Sequence, residues 1–151
     1  NALVAIDRAI ELDPEDGTLY HMKGMALRSR LYLLMQEKPG EQRRADLDQI
    51  VDLSVKAAEQ FAMARDMHPT EEHGYISHIQ MLLRVLDFAR VATGIDSTQR
   101  LLTSPTVPST LRESLDTAEE LLEQARKLRE GERPSSHVEH CRVQIDALYG
   151  K

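Results

Sequence analysis

The chain has 151 residues, of which 41% are hydrophobic and 29% are charged, so its length suits one domain and its composition excludes wholesale disorder. The 25 acidic residues outnumber the 19 basic ones, and the formal net charge of −6 argues against nonspecific electrostatic binding of nucleic acid. No apolar run approaches the ~20 residues of a membrane helix, and the chain has only four tyrosines, two phenylalanines and no tryptophan, which argues against a β-sandwich.

Apolar residues recur at helical spacing along the chain, and no segment has the two-residue alternation of a strand. The sequence predicts about six helices, at residues 1–12, 15–38, 41–67, 70–93, 109–130 and from Ser135 or Ser136 through Tyr149. Proline ends the first three, at Pro14, Pro39 and Pro69, because it lacks an amide proton and disfavours helical geometry in the residue before it. Gly94 is placed to end the fourth in the left-handed conformation. The fold class is therefore predicted to be all-α.

Two further features of the sequence are the segment between the fourth and fifth predicted helices and the start of the chain. Residues 95–108 contain two prolines and many hydroxyl side chains, so we predict a loop there with a short helix near Leu101. The first helix begins within an apolar stripe, with neither an initiator methionine nor a capping stretch. We therefore expect the chain to be a piece of a longer protein.

Three helix-ending segments share one spacing: a small residue, a large apolar residue four positions later, alanine three after that, and a terminator five further on. The three copies are Ala2, Ile6, Ala9 and Pro14; Ala57, Phe61, Ala64 and Pro69; and Ala118, Leu122, Ala125 and Glu130, with Gly131 as the break. Alanine lets a neighbouring helix approach closely, and the large residue fills the groove between the two helices. The sequence therefore predicts repeated helical hairpins.

This series resembles the second helix of the tetratricopeptide repeat. The first-helix half of that family's pattern is matched in part by Tyr20 and Gly24, and by Tyr75 without the glycine. The resemblance implies antiparallel hairpins stacked as an irregular right-handed solenoid, although Pro14 and Pro69 lie 55 residues apart against a family period of about 34. It divides a single domain, residues 1–151, into segments 1–14, 15–69, 70–131 and 132–151, the first being the end of a repeat and the last a C-terminal helix.

The order of three further segments is similar to the helical-repeat region of large STAND-type nucleotide-switch proteins, which include antiviral factors with a sterile-alpha-motif domain and bacterial immune relatives. The segments read DGTLYHMKGMALRSRLYLLM, AAEQFAMARDMHP and HGYISHIQMLLRVLDFA. In that group the repeats follow an NTPase module and act in sensing or assembly. No functional residue is carried over, because no motif matches one.

The tetratricopeptide resemblance also implies a binding groove, lined by the first helix of each pair. By family position the groove residues are His21, Met25, Arg28, His73, Ile76, Gln80 and Arg84. They mix cationic, polar and apolar contacts, as a groove for a peptide or a helix does. The lysine and asparagine clamp with which some members hold a terminal carboxylate is missing. An equal alternative is that these residues face neighbouring repeats of the parent protein.

The chain offers no evident catalytic, cofactor or metal site. Its seven glycines form neither a phosphate-binding loop nor a dinucleotide fingerprint, and no nucleophile elbow is present. Cys141 with His137 and His140 is the best metal candidate, yet Cys141 also lies on the apolar line of Val138, Ile145 and Leu148, and no fourth ligand is evident. We expect no enzymatic activity, no cofactor and no bound metal.

A basic cluster surrounds the turn after the second predicted helix, formed by Arg28, Arg30, Lys38, Arg43 and Arg44. With a net acidic chain and no interleaved aromatic platform, a nucleic-acid partner is a minority hypothesis. The single cysteine suits a reducing compartment, and we expect a cytoplasmic protein without a membrane segment.

The leading functional hypothesis is a protein-interaction or assembly module within a larger signalling or antiviral STAND-type NTPase, acting on a peptide or protein segment or on other domains of the parent chain. The first alternative is a structural spacer or regulatory arm that packs on the parent's catalytic core. The second is a nucleic-acid sensing surface, which predicts binding that falls steeply with salt. The ligand and the oligomeric state stay open.

Overall fold

A computed structural model of the chain describes the backbone of residues 1–37 and 42–149 and the side chains of residues 1–36 and 46–149. This part of the chain is helical, without strands, so the all-α prediction is confirmed. Its helices are α1 (Ala2–Leu12), α2 (Gly17–Glu37), α3 (Gln42–Met67), α4 (His73–Thr93), α5 (Thr98–Thr103), α6 (Ser109–Arg112), α7 (Ser114–Lys127) and α8 (Ser136–Tyr149). The predicted helix end at Pro39-Gly40 lies outside the described residues.

The count of about six helices is wrong, since the described residues form eight. The additional helix α5 is the short one expected near Leu101, and its N-terminus is capped by the Ser97 hydroxyl, which accepts from the Arg100 amide at 3.2 Å. The helix predicted at 109–130 is divided at Glu113, whose backbone (φ −87°, ψ −8°) departs from helical values. The Ser114 hydroxyl donates to the Thr110 carbonyl at 3.1 Å across this break, a local bond that bends helices.

The N-terminus of α8 is hydrogen-bonded to the residue that precedes α4. The Ser135 hydroxyl accepts from the Val138 amide at 3.2 Å, which makes Ser135 the N-terminal cap. The same hydroxyl donates to Glu72 Oε1 at 2.6 Å, just before α4 begins. The two helices therefore start at the same end of the molecule.

Successive long helices pack side by side, in the order α1, α2, α3, α4, α7 and α8, and α4 also touches α2 and α8. Gly24 lies against Phe61 and Gly17 against His68, so α2 and α3 run antiparallel. His78 stacks on Phe61 at 5.9 Å, and Arg65 lies at Gly74, so α3 and α4 are antiparallel as well. As a result α2 and α4 run parallel.

The centre of the core is α4, in which 13 of the 21 residues are buried. Burial around nearly the whole circumference follows from its neighbours, because a helix is apolar on all sides only when other elements surround it. The residues without measurable exposure or nearly so come from seven of the helices and include Leu31, Ile50, Phe61, Ile79, Leu86, Leu101, Leu111, Leu122 and Ile145.

The shared alanine series occupies packed positions in two of its three copies. In the second and third copies the three packing positions are buried and only the terminators are exposed. The buried residues are Ala57, Phe61, Ala64, Ala118, Leu122 and Ala125, together with Tyr20, Gly24 and Tyr75 of the first helices. In the first copy Ile6 is buried and Ala9 half-buried, whereas Ala2 is exposed. Within the described residues Ala2 therefore packs against no neighbouring helix, because α1 lies at the edge and contacts chiefly α2.

Gly94 ends α4 in the left-handed conformation (φ 71°, ψ 10°), as predicted, and its amide donates to the Val91 carbonyl. A Cβ atom added there meets nothing within 4 Å, so only the backbone conformation resists a side chain. We expect Gly94→Ala to lower the free energy of unfolding by about 1–2 kcal/mol, and Gly94→Asn to lose less, because asparagine tolerates this conformation. Urea unfolding of the three proteins measures both values; equal stability of the alanine and asparagine variants would contradict the explanation.

Candidate binding groove

The helices α2, α4 and α8 leave an open groove of about 630 Å³ between them. It is lined by side chains from all three helices: Arg28, Tyr32, Gln80, Leu83, Arg84, Asp87, His140, Gln144, Ala147 and Leu148. The lining combines cationic, amide and apolar groups. This volume lies within the range of ligand-binding clefts, which are typically about 300–1,000 Å³.

Two arginines flank Tyr32 in the groove. The Arg28 guanidinium carbon lies 5.5 Å from the centroid of the Tyr32 ring, and that of Arg84 lies 4.6 Å from it. Both distances are those of cation–π contacts. Arg28 is held further by α4, because its Nη1 donates to the Ser77 carbonyl at 3.2 Å and to Gln80 Oε1 at 3.3 Å. The site thus depends on side chains that α2 and α4 fix against each other.

The two guanidiniums leave the groove with excess positive charge. Among the described side chains, neither Arg28 nor Arg84 forms an ion pair with a carboxylate, and the nearby Asp87 is paired with Arg90 at 3.3 Å. Burial raises the pKa of Tyr32 above its usual range, and the two arginines offset part of that rise. Tyr32 therefore stays a neutral phenol near pH 7, and it supplies a π surface without a compensating negative charge.

The predicted groove residues divide into three groups. Arg28, Gln80 and Arg84 line the groove. Met25 is half-buried against the core, and Ile76 lies inside it, so the prediction that Ile76 faces the groove is wrong; α4 has neighbours on almost every side. His21 and His73 line a different cavity, described next.

That second cavity measures about 220 Å³ and lies where α2 and α4 begin and α3 ends. His21, His68, His73 and Glu71 are among its lining residues. The rings of His21 and His73 are 6.5 Å apart, and His21 Nε2 lies 3.2 Å from the Ser77 hydroxyl oxygen. Burial lowers the pKa of His21, and the neighbouring His73 lowers it further. The imidazoles therefore gather at one end of the molecule, away from Tyr32.

Sequence reasoning missed the contribution of α8 and of Tyr32. His140, Gln144, Ala147 and Leu148 recur at steps of four, three and one, which places them on one face of a helix. The adjacent, apolar line of Val138, Cys141 and Ile145 is buried. The spacing of these four residues could have been recognised in the sequence. Only the packing of α8 beside α4, however, brings the face with His140 and Gln144 to the groove.

Cys141 is placed as a core residue. The side chain is fully buried, and burial, with a smaller contribution from Glu72, raises the pKa of its thiol to about 11. His137 and His140 are exposed. In residues 1–37 and 42–149 no three histidine, cysteine or acidic side chains are arranged to hold a metal ion.

A buried histidine of α4, His78, lines a further cavity of about 360 Å³ beside α3 and the start of α7. His78 is only 5% exposed, and its Nδ1 lies 3.0 Å from Arg65 Nη1, which also donates to the Gly74 carbonyl at 3.1 Å. A guanidinium only donates hydrogen bonds, so Nδ1 accepts and the neutral ring carries its proton on Nε2. Burial, then the charge of Arg65, lowers the pKa of His78 to about 3.

The predicted basic cluster is described only in part. Arg28 belongs to the groove, and Arg30 is exposed. Lys38 and the side chains of Arg43 and Arg44 lie outside the described residues.

The fold and groove define an all-helical protein with an open, cationic cleft between parallel helices. Comparison with known protein families, with curated proteins and with solved structures finds no match to this chain. Within the described residues, none of the helices is both long and apolar enough to span a membrane.

Proposed function

We propose that the chain is a non-enzymatic protein-interaction module and that a partner segment binds in the groove between α2, α4 and α8. The observation that carries the proposal is the open groove of about 630 Å³ on three helices. Its apolar side chains favour burial, and its amides and guanidiniums offer donors to a peptide backbone. These are the features by which helical grooves take extended or helical segments.

We also propose a tetratricopeptide-like architecture, with antiparallel hairpins stacked in a right-handed solenoid. Two matched hydrogen bonds support it: the Tyr20 hydroxyl donates to the Pro14 carbonyl at 2.7 Å, and the Tyr75 hydroxyl donates to the Pro69 carbonyl at 2.9 Å. The same bond therefore recurs at each start of a proposed repeat. The close approach of Phe61 to Gly24 is the contact that the alanine series predicts within the first pair.

A selection from a random peptide library tests the binding role. The immobilised chain is expected to enrich peptides that shift the NMR resonances of groove residues such as Gln80 and Gln144. Arg84→Ala should weaken the binding of those peptides because it removes a groove side chain. Arg112→Ala is the matched control, since Arg112 is an exposed arginine on α6 outside the groove lining. Enrichment of no peptide, or equal binding to both variants, would contradict the proposal.

The alternative of a structural or regulatory arm is supported by the outer side of α1. Val4 is 66% exposed and Leu12 83% exposed, so this helix presents large apolar side chains that another domain of a parent protein would cover. An arm of this kind predicts no enrichment in the peptide selection. Membership of a larger signalling or antiviral STAND-type NTPase is proposed on the order of the three sequence segments alone; a phosphate-binding loop in the parent chain would support it.

A further inference from the structure

We propose that the groove selects an acidic polypeptide segment, in which one aspartate or glutamate carboxylate is held by Arg28 and Arg84 beside Tyr32. This inference rests on the proposed interaction function and names the class of partner. It is carried by the placement of two guanidiniums near one phenol ring, within a groove whose lining also includes apolar residues.

The two arginines form an arrangement that an anion would complete. Their guanidinium carbons lie 5.5 and 4.6 Å from the same ring centroid, so two like charges share one small region. The ring quadrupole offsets only part of their repulsion. Among the described residues no carboxylate forms an ion pair with either, and Asp87 is paired with Arg90. A carboxylate bound there gains charge-assisted hydrogen bonds from planar donors suited to it.

The fixed hydrogen bonds of Arg28 leave it oriented for this role. Its Nη1 already donates to the Ser77 carbonyl and to Gln80 Oε1, and the remaining guanidinium donors have no such partner among the described residues. Arg84 is exposed and reaches the same ring from α4. Arg28 is therefore pre-positioned, which reduces the ordering cost of binding, and the exposed guanidinium of Arg84 is accessible to the same ligand.

The rest of the groove limits the ligand to a sparsely acidic polypeptide. Leu83, Ala147 and Leu148 supply apolar contacts, while Gln80 and Gln144 supply amides for a peptide backbone. A nucleic acid, with a phosphate at every step, meets only two arginines here and a chain whose net charge is −6. Long-range repulsion therefore disfavours a polyanion, whereas one or two carboxylates among apolar residues complement the groove.

The test uses the peptides enriched in the library selection described above, and a single-stranded oligothymidylate as a second probe. Selected peptides are expected to contain aspartate or glutamate well above the frequency of the starting library. Changing that acid to its amide should weaken binding about tenfold or more at ~0.15 M salt, as charge-assisted bonds of ~1.5–3 kcal/mol imply. Arg84→Gln should weaken the acidic peptide similarly and leave the amide peptide unchanged, whereas Arg112→Gln should change neither.

The outcomes separate the two proposals. If peptides are enriched and shift groove resonances but carry no acid, or if the amide form binds as tightly, the acidic-segment inference is overturned and the interaction function stands. Tighter binding of oligothymidylate than of the best peptide also overturns it. If no peptide is enriched, the interaction function fails and the inference fails with it. A circular dichroism melt of each variant confirms that the exposed Arg84 is replaced without loss of the fold.

Discussion

Replacing Phe61 by alanine is expected to lower the free energy of unfolding by about 3–5 kcal/mol, the usual range for a fully buried phenylalanine. The ring has no measurable exposure. It lies between the imidazoles of His21 and His78, at centroid distances of 5.7 and 5.9 Å, and against the backbone of Gly24. Three helices thus lose contacts when the ring is removed, and the rigid neighbours on two sides limit how far the site can collapse.

Urea unfolding at pH 7.5, followed by circular dichroism, measures this loss. Met63→Ala is the matched control on the same helix, because Met63 is 38% exposed and its removal leaves no closed cavity. The control should lose much less stability than Phe61→Ala. A loss of under ~1.5 kcal/mol for Phe61→Ala would mean that α2, α3 and α4 do not meet at this ring.

The second large effect is a decrease in the free energy of unfolding at acidic pH, caused by His78. Its pKa is about 3 in the folded chain, whereas an unfolded histidine has a pKa near 6.5. Below pH 6.5 the histidine binds a proton in the unfolded state but not in the folded state. The free energy of unfolding therefore decreases as the pH falls from 6.5 toward 3, by ~1.4 kcal/mol per pH unit from this group. Between pH 6.5 and pH 4.5 the loss is roughly 2 kcal/mol, because the unfolded histidine is already half-protonated at pH 6.5.

His78→Asn isolates this contribution, because its amide oxygen can accept from Arg65 in place of Nδ1 without titrating. The variant should lose less stability than the parent chain between pH 6.5 and pH 4.5, and the difference between the two curves is the quantity to measure. His68→Asn, at an exposed position, serves as the control and should follow the parent curve. Parallel curves for His78→Asn and the parent would exclude His78 as the cause. Burial also lowers the pKa of His21, which adds to the slope in both proteins.

The helices were predictable wherever the chain carries strong terminators. Pro14 and Pro69 bound α2 and α4 from the N-terminal side, Gly94 ends α4, and Ser135 caps α8; each acts through a local backbone constraint that a single sequence reveals. The break at Glu113 was not predictable in this way. The apolar spacing continues through it, and the hydrogen bond of Ser114 to the Thr110 carbonyl at the break is one that serines also form inside continuous helices.

The groove was predictable only for residues whose neighbours lie on adjacent predicted helices. Arg28 and Arg84 could be placed there because α2 and α4 are corresponding helices of the proposed repeats. The face of α8 that carries His140 and Gln144 was missed, because the local sequence does not show which side of α4 the helix α8 packs against. Ile76 was wrongly assigned to the groove, because its burial depends on how many helices surround α4, and a periodic sequence pattern does not reveal that number.

The position of α4 has a consequence for how the chain comes apart. In a long stacked array each hairpin touches only the next, so the ends can fray while the middle persists. In this short chain one helix, α4, contacts α2, α3, α7 and α8, so the loss of the helices on either side exposes buried surface of α4. Opening should therefore be all-or-none across α2 to α8, with only the edge helix α1 detaching by itself, and the amides of α4 should be the last to exchange with deuterated solvent.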